Sequence, residues 1–319
     1  MIYALALTGP TASGKTALSI DLARSLSLEI ISCDSMQIYR GMDIGTAKAT
    51  MEERAAVPHH LIDFVSPLEC YSAEAYRIDA MAAARDIVLR GKSPIFVGGT
   101  GLYIDTLMRA AADGSPPSDT EVRESLLSTF TPEELYDRIL ALDPESAAAT
   151  HKNNVKRVVR ALEIYEITGK PKSYFDALSR EQAPDIKIGM ITLDFHNREN
   201  LYERVNKRVD IMLDMGLLKE VSSLYNAGLL RKNTTAASAI GYKEIIDFIE
   251  GRCTLDGAME QIKLSSRRYA KRQLTWFRHE KDAQRLYIDT EDGIMKPYNL
   301  LIEEAQSMAN TFINTFRNG

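Results

Sequence analysis

Apolar runs at Ala4 to Leu7, Leu28 to Ser32, Pro94 to Val97 and Ile186 to Phe195 read as strands, and between them apolar residues recur every three or four positions. Leu18, Leu22 and Leu26 mark a helix after the first run. Tyr76, Ala80, Ala83, Ala84 and Ile87 mark another, capped by Ser72 and ended by Gly91. Leu201, Val205, Val209 and Met212 mark a third, ended by Gly216. Strands alternating with helices predict an α/β fold with an open parallel sheet. The alternation is interrupted. Asp113-Gly114-Ser115-Pro116-Pro117-Ser118 reads as a linker, and helical patterns without strands then run to about residue 180. There Val155, Val158, Val159 and Leu162 form one helix face, with Lys156, Arg157 and Arg160 on the other. The expected organisation is a core of residues 1–112 and 186–319 with a helical insertion at 113–185. Residues 296–316 read as a terminal helix.

Composition changes this picture little. The chain has 319 residues, 45% hydrophobic and 26% charged, ample for a large core and two domains. No apolar run approaches the roughly twenty residues of a membrane helix. The opening apolar stretch leads into a glycine loop without a basic leader, and is expected to be a core strand rather than a signal peptide. The three cysteines, Cys33, Cys70 and Cys253, are far apart and odd in number, which fits a reducing cytoplasm. Net charge is −5, so a nucleic acid must be held by local basic patches.

The densest chemistry is Gly9-Pro10-Thr11-Ala12-Ser13-Gly14-Lys15-Thr16, between the first strand and the first helix. Glycines let successive N–H groups turn inward around an anion, and the new helix adds its positive end. Lys15 supplies a point charge, and the Thr16 hydroxyl can sit on Mg²⁺. The loop predicts a bound diphosphate or triphosphate. Asp34 follows the second strand on the same sheet edge, as turn residue, Mg²⁺ ligand or general base. Gly98-Gly99-Thr100-Gly101 repeats the strand–loop–helix arrangement and offers a hydroxyl there. His59 and His60 lack a third ligand at metal spacing and read as structural. Arg204 and Arg208 share a stripe beside an apolar helix seam, within reach of a buried anion or in surface ion pairs. Between Lys263 and His279, the residues Lys263, Arg267, Lys271 and Arg278 align opposite Tyr269 and Trp276. That basic stripe reads as a phosphate-backbone footprint and the aromatics as core. These residues alone leave three classes open: a phosphotransferase or NTPase, a transferase acting on nucleic acid, and a nucleotide-gated binding module.

Taken together, Gly9–Thr16, Asp34–Arg40 with Gly41–Lys48, Gly98–Tyr103, Arg157–Glu163 with Thr168-Gly169-Lys170-Pro171, Leu201–Asp210, Ala239–Glu244 and Tyr269–Arg278 resemble the bacterial tRNA dimethylallyltransferases almost from end to end. The resemblance implies a kinase-like phosphate-loop core with a helical insertion. It implies transfer of a dimethylallyl group from dimethylallyl diphosphate to the N6 amine of the adenosine at tRNA position 37, beside the anticodon, with Mg²⁺ as cofactor. The loop would then grip a leaving diphosphate rather than ATP. Carried over by matched position, Asp34 would take the proton from the amine, Thr100 would bond near the reacting centre, and Arg204 would stabilise the departing diphosphate. The implied tRNA contacts are Asp34, Ser35, Met36 and Gln37; Thr100 and Arg123; Lys156, Arg157, Val158, Val159 and Arg160; Ser238, Ala239, Ile240, Gly241, Tyr242 and Lys243; and Lys271, Arg272, Gln273, Trp276 and Arg278. The sequence shows no counterpart of the eukaryotic relatives' zinc-finger extension, and no metal-binding RNA module is expected. The expected enzyme is cytoplasmic, monomeric and free of membrane contact. Prenylation of free adenine nucleotides is the nearest rival activity.

Overall fold

The structure is a computed structural model and describes residues 1–108, 118–181, 184–231 and 234–318. Positions 113–117 of the expected linker lie outside the described residues. The chain divides into two compact units, Met1–Leu107 with Ile186–Gly319, and Met108–Asp185.

In the larger unit the order begins β1 (Ile2–Thr8), α1 (Lys15–Leu26), β2 (Leu28–Ser32), α2 (Met51–Ala56), β3 (His59–His60), α3 (Ala73–Leu89), β4 (Ser93–Gly98) and α4 (Gly101–Met108). The smaller unit then supplies α5 (Thr120–Thr129), α6 (Pro132–Leu142), α7 (Pro144–Ala148), α8 (Val155–Thr168) and α9 (Lys172–Glu181). The larger unit resumes with β5 (Ile186–Asp194), α10 (Arg198–Asp214), α11 (Leu217–Asn226), α12 (Tyr242–Ile249), α13 (Leu255–Arg278), β6 (Gln284–Tyr287) and α14 (Tyr298–Asn318).

The six strands form one parallel sheet in the order β3-β2-β4-β1-β5-β6. Successive residues of a strand face opposite sides. Leu5 and Leu7 therefore pack with Leu18 and Leu22 of α1 and Leu301, Ala305 and Ala309 of α14, while Ala4 and Ala6 are buried from the other side. Burial on both faces explains why these strands read as continuous apolar runs. With helices flanking it and a phosphate loop after its first strand, this is the expected phosphate-loop core.

Two strands escaped the pattern because they are short. The edge strand β3 is the His59–His60 pair itself: His60 Nε2 lies 2.8 Å from a Glu29 carboxylate oxygen, and His59 Nδ1 bonds the Val57 carbonyl at 2.7 Å. Both rings serve the fold. Glu29 is buried within β2, and hydrogen bonds from Arg90, with His60 and Lys92 beside it, hold its carboxyl well below the usual range. The other missed strand, β6, continues the sheet beyond β5.

The smaller unit has its own core, in which Val158, Val159 and Leu162 of α8 pack against Leu126, Leu135 and Ile139. Glu163 is fully buried there, paired with Arg123 at 2.9 Å and Arg160 at 2.8 Å. Val158 and Val159 are 1% and 3% exposed, so their side chains belong to this core and not to an RNA surface. Lys156 and Arg157 stand exposed.

Candidate active site

At the carboxyl ends of β1, β2 and β4 the larger unit opens a cleft of about 1110 Å³. The phosphate loop forms one wall. Gly9 has φ +140° and lies so close to β5 that a Cβ would stand 2.8 Å from the Leu193 carbonyl oxygen, so only glycine turns there. At the crest Ala12 takes a left-handed φ of +63°, a conformation that non-glycine residues hold only when neighbours fix it. One such neighbour is Arg204 of α10, whose Nε donates to the Ala12 carbonyl at 2.8 Å. The Ser13 hydroxyl is buried in the cleft wall with no partner among the described residues.

Three cations converge on this loop, and the structure places none of them in an ion pair among the described residues. Lys15 Nζ donates to the carbonyls of Gly9 and Pro10 at 3.0 and 2.6 Å. Burial, with Arg208 adding repulsion and Asp34 opposing, pulls its amine down to about 7. Burial also lowers Arg204 and Arg208 from the ordinary arginine value, though guanidinium stays charged. Arg208 donates to the Thr46 carbonyl at 3.4 Å. Lys15 and Arg208 are half-buried and Arg204 is exposed on the cleft wall; positive charge gathered in a cleft without a counter-charge is costly unless an anion answers it. Arg208 carries as much of this argument as Arg204; the i, i+4 spacing along α10 was the signal for it.

Asp34 stands beside these cations. Its Oδ1 accepts the N–H groups of Met36 and Gln37 at 2.9 and 3.3 Å, which fixes the carboxylate and leaves Oδ2 without a hydrogen bond among the described residues. Thr100 closes the same corner: its Oγ1 accepts the Ser35 N–H at 3.1 Å. Tyr269, core by its helical spacing, in fact lines the cleft next to Thr100, Gln273 and Asp34, where burial raises its phenol. The oxygens of Thr16 and Asp34 are hard donors of the type Mg²⁺ takes. No group of three metal-binding side chains occurs among the described residues. Mg²⁺ commonly keeps waters and takes further oxygens from phosphates, so one or two protein oxygens are enough to hold it.

The residues matched to RNA contact separate into two sets. Ser35, Met36 and Gln37 line the cleft, and Gln37 Nε2 donates to the carbonyls of Thr46 and Ala47 at 3.2 Å each. Ser238 and Lys243 are exposed and Ile240 is half-buried. Tyr242, by contrast, is fully buried with its hydroxyl 2.6 Å from Glu220, and Ala239 and Gly241 are buried beside it. Tyr242 therefore supports the cleft wall from behind, and its side chain cannot meet RNA. Gln273 is also buried, both ends of its amide bonded within the protein. Trp276 is half-buried against Gly101.

The basic stripe of α13 is largely an internal fastening. Lys263 pairs with Asp210 at 2.8 Å, Arg267 donates to Asn206 at 2.6 Å, and Arg278 pairs with buried Asp194 at 2.6 Å. These contacts tie α13 to α10 and β5. Lys271, Arg268 and Arg272 remain exposed and without an ion pair among the described residues, so the electrostatic footprint keeps Lys271 from the stripe and adds Arg268 and Arg272 beside it.

The chain matches the family model described as IPP transferase over residues 37–280 and that described as Isopentenyl transferase over residues 2–63. The tRNA dimethylallyltransferase of Shouchella clausii is 46% identical over 299 residues, 92% of this chain and 94% of that one. That of Anoxybacillus flavithermus is 47% identical over 279 residues, 87% and 88% of the two chains. Among solved structures, the full-length tRNA isopentenylpyrophosphate transferase of Bacillus halodurans gives a TM-score of 0.70 at 38% identity, covering 98% of this chain and 97% of that one. A eukaryotic dimethylallyltransferase acting on tRNA gives 0.78 at 32% identity, covering 90% and 74%. No described helix is long and apolar enough to cross a membrane.

Proposed function

The chain belongs to the IPP transferase family and is a tRNA-prenylating transferase, and on that premise we propose that it moves a dimethylallyl group from dimethylallyl diphosphate to the N6 amine of adenosine 37 in the anticodon loop. The observation that carries this reading is the convergence of Lys15, Arg204 and Arg208 on the loop after β1, with one well-held carboxylate, Asp34, alongside.

An exocyclic adenine amine is a poor nucleophile, since its lone pair is delocalised into the ring. Asp34 removes its proton as the bond from N6 to the first carbon of the prenyl group forms. The bond from that carbon to the diphosphate oxygen breaks, and the oxygen leaves with the electron pair. Base assistance of this kind is worth roughly 10²–10⁴-fold. Lys15, Arg204 and the loop amides already face the charge that develops on the leaving group, so little reorganisation is needed. Mg²⁺, held on the protein side by the Thr16 hydroxyl, would neutralise further charge on the diphosphate. Thr100 and Tyr269 shape the corner where the adenine, turned out of its stack, meets Asp34. Exposed Lys156, Arg157, Lys271 and Arg272 bear the phosphate-contacting charge. The three free cysteines support a reducing, cytoplasmic setting.

The test offers labelled dimethylallyl diphosphate with tRNA, AMP or ATP in turn. Label on tRNA adenosine 37 alone is expected. Transfer to AMP, or loss of the terminal phosphate from ATP with tRNA left unalkylated, would refute the assignment.

A further inference from the structure

Among the α13 residues that line the cleft, Gln273 is a buried polar side chain that the reaction as proposed leaves without a task. Gln273 is 5% exposed and follows the exposed Lys271 and Arg272. Its Oε1 accepts the N–H of Thr11 in the phosphate loop at 2.8 Å, and its Nε2 donates to the carbonyl of Gly99 at 2.8 Å. A Cβ on Gly99 would stand 2.1 Å from that nitrogen, so the glycine is what admits the amide. Thr100 comes next in the chain and accepts the Ser35 N–H, one residue past Asp34. A single amide thus spans the loops after β1 and β4 from a helix whose outer face carries cations.

The sheet does not need this bridge. Strands β1 and β4 pair directly, Leu5 with Ile95 through Thr8 with Gly98. What strand pairing leaves undefined is the course of the two loops beyond the strand ends. At the strained crest, Gln273 holds Thr11 from one side while Arg204 holds the Ala12 carbonyl from the other. Turning the Thr11 N–H away toward Gln273 leaves the following amides to face the anion. A buried amide is costly unless paired at both ends, and this one is paired to the two loops that build the site.

We propose that Gln273 is a positioning residue that couples the cation-bearing helix to the diphosphate cradle, setting the phosphate loop in its anion-binding shape and Thr100 and Asp34 in register with it. The proposal rests on the reading of the cleft as the donor site. By linkage, RNA docked on α13 and diphosphate in the loop then change each other's affinity by the same factor.

The test compares the wild-type chain with Gln273→Met and Gln273→Glu. Inorganic diphosphate with Mg²⁺ is titrated while following the fluorescence of Trp276, the single tryptophan, which packs on Gly101. An anticodon stem-loop RNA is titrated separately, with and without diphosphate. Gln273→Met should weaken diphosphate binding about tenfold, leaving a buried donor and acceptor unpaired, leave RNA affinity measured alone unchanged, and abolish the mutual effect. Gln273→Glu keeps an acceptor for Thr11 but sets an oxygen against the Gly99 carbonyl. Its deficit, taken against wild type at each pH, should shrink as the pH falls and the carboxyl gains a proton to donate. That variant, close in shape to the amide, also carries the test should Gln273→Met fail to fold. Equal diphosphate affinity in all the proteins overturns the proposal. So does a loss confined to RNA affinity, which would make Gln273 a direct RNA contact. Failure of the wild-type chain to bind diphosphate would instead withdraw the reading of the cleft.

Discussion

Arg204 donates its Nε–H to the carbonyl oxygen of Ala12 at 2.8 Å, joining α10 to the crest of a loop 192 residues earlier in the chain. The guanidinium thereby has two tasks: it fixes the Ala12 peptide and presents its remaining N–H groups to whatever the loop encloses. Arg204→Ala should lower kcat by roughly 10²–10³-fold, the usual cost of losing one donor to developing charge, with the thermal midpoint little changed. Arg204→Lys keeps the charge without the fork and should fall between the two. Single-turnover rates at saturating donor and RNA check this, and wild-type turnover in Arg204→Ala would remove Arg204 from the mechanism.

Asp34→Asn preserves an oxygen for the Met36 and Gln37 amides and removes only the base. The expected result is a fall in kcat of roughly 10²–10⁴-fold with stem-loop RNA affinity retained. Parallel loss of rate and affinity would assign Asp34 to RNA docking.

Lys15 gives a pH dependence with a definite sign. In the free protein burial and Arg208 hold its amine at about 7, whereas a bound diphosphate favours the ammonium form. Binding at pH 8 should therefore take up about one proton, measurable by calorimetry in buffers of different ionisation heat and absent in Lys15→Met. Stability runs the other way. The unfolded chain keeps this proton up to the ordinary value of 10.5 and the folded chain loses it above about 7. The unfolded state binds more protons across that window, so stability rises with pH there. Denaturant titrations of Lys15→Met should show a flatter profile.

Salt dependence separates the cations of α13. Lys271 is exposed and lacks an ion pair among the described residues, while Lys263 is held by Asp210 and Glu260. Lys271→Ala should reduce the slope of log affinity against log salt by roughly 0.7–0.9, one phosphate contact. Lys263→Ala should leave the slope unchanged. Equal slopes in Lys271→Ala and wild type would return that lysine to the solvated surface.

Glu220 offers a stability test behind the cleft wall. Its carboxylate accepts the N–H groups of Asp43, Ile44 and Gly45 and the Tyr242 hydroxyl. Glu220→Ala should destabilise the protein by about 1–3 kcal/mol, since the buried Tyr242 hydroxyl and two half-buried backbone amides lose a charged acceptor, and should raise the KM for the donor through the loosened 43–48 wall. Chemical denaturation and steady-state kinetics read the two effects. An unchanged KM would confine Glu220 to the fold.

Features that depend on neighbours along the chain are legible in its residues: the main strands and helices, the phosphate loop with its helix, the interruption by helices, and the sheet edge on which Asp34 and Thr100 fall. These follow from periodicity and from glycine at positions where the backbone must turn sharply. How side chains are used depends instead on partners that folding brings together. The stripe on α13 has helical spacing of cations, but periodicity cannot see that Asp210, Asn206 and Asp194 lie opposite them. Tyr242 and Val159 sit within motifs that resemble RNA-contacting segments, yet burial turns their side chains to the core. The joining of Thr11, Gly99 and Gln273 by one amide is invisible in sequence for the same reason. Whether a polar group is spent inside the protein or offered to a ligand is set by partners distant in the chain, and local pattern carries no record of them.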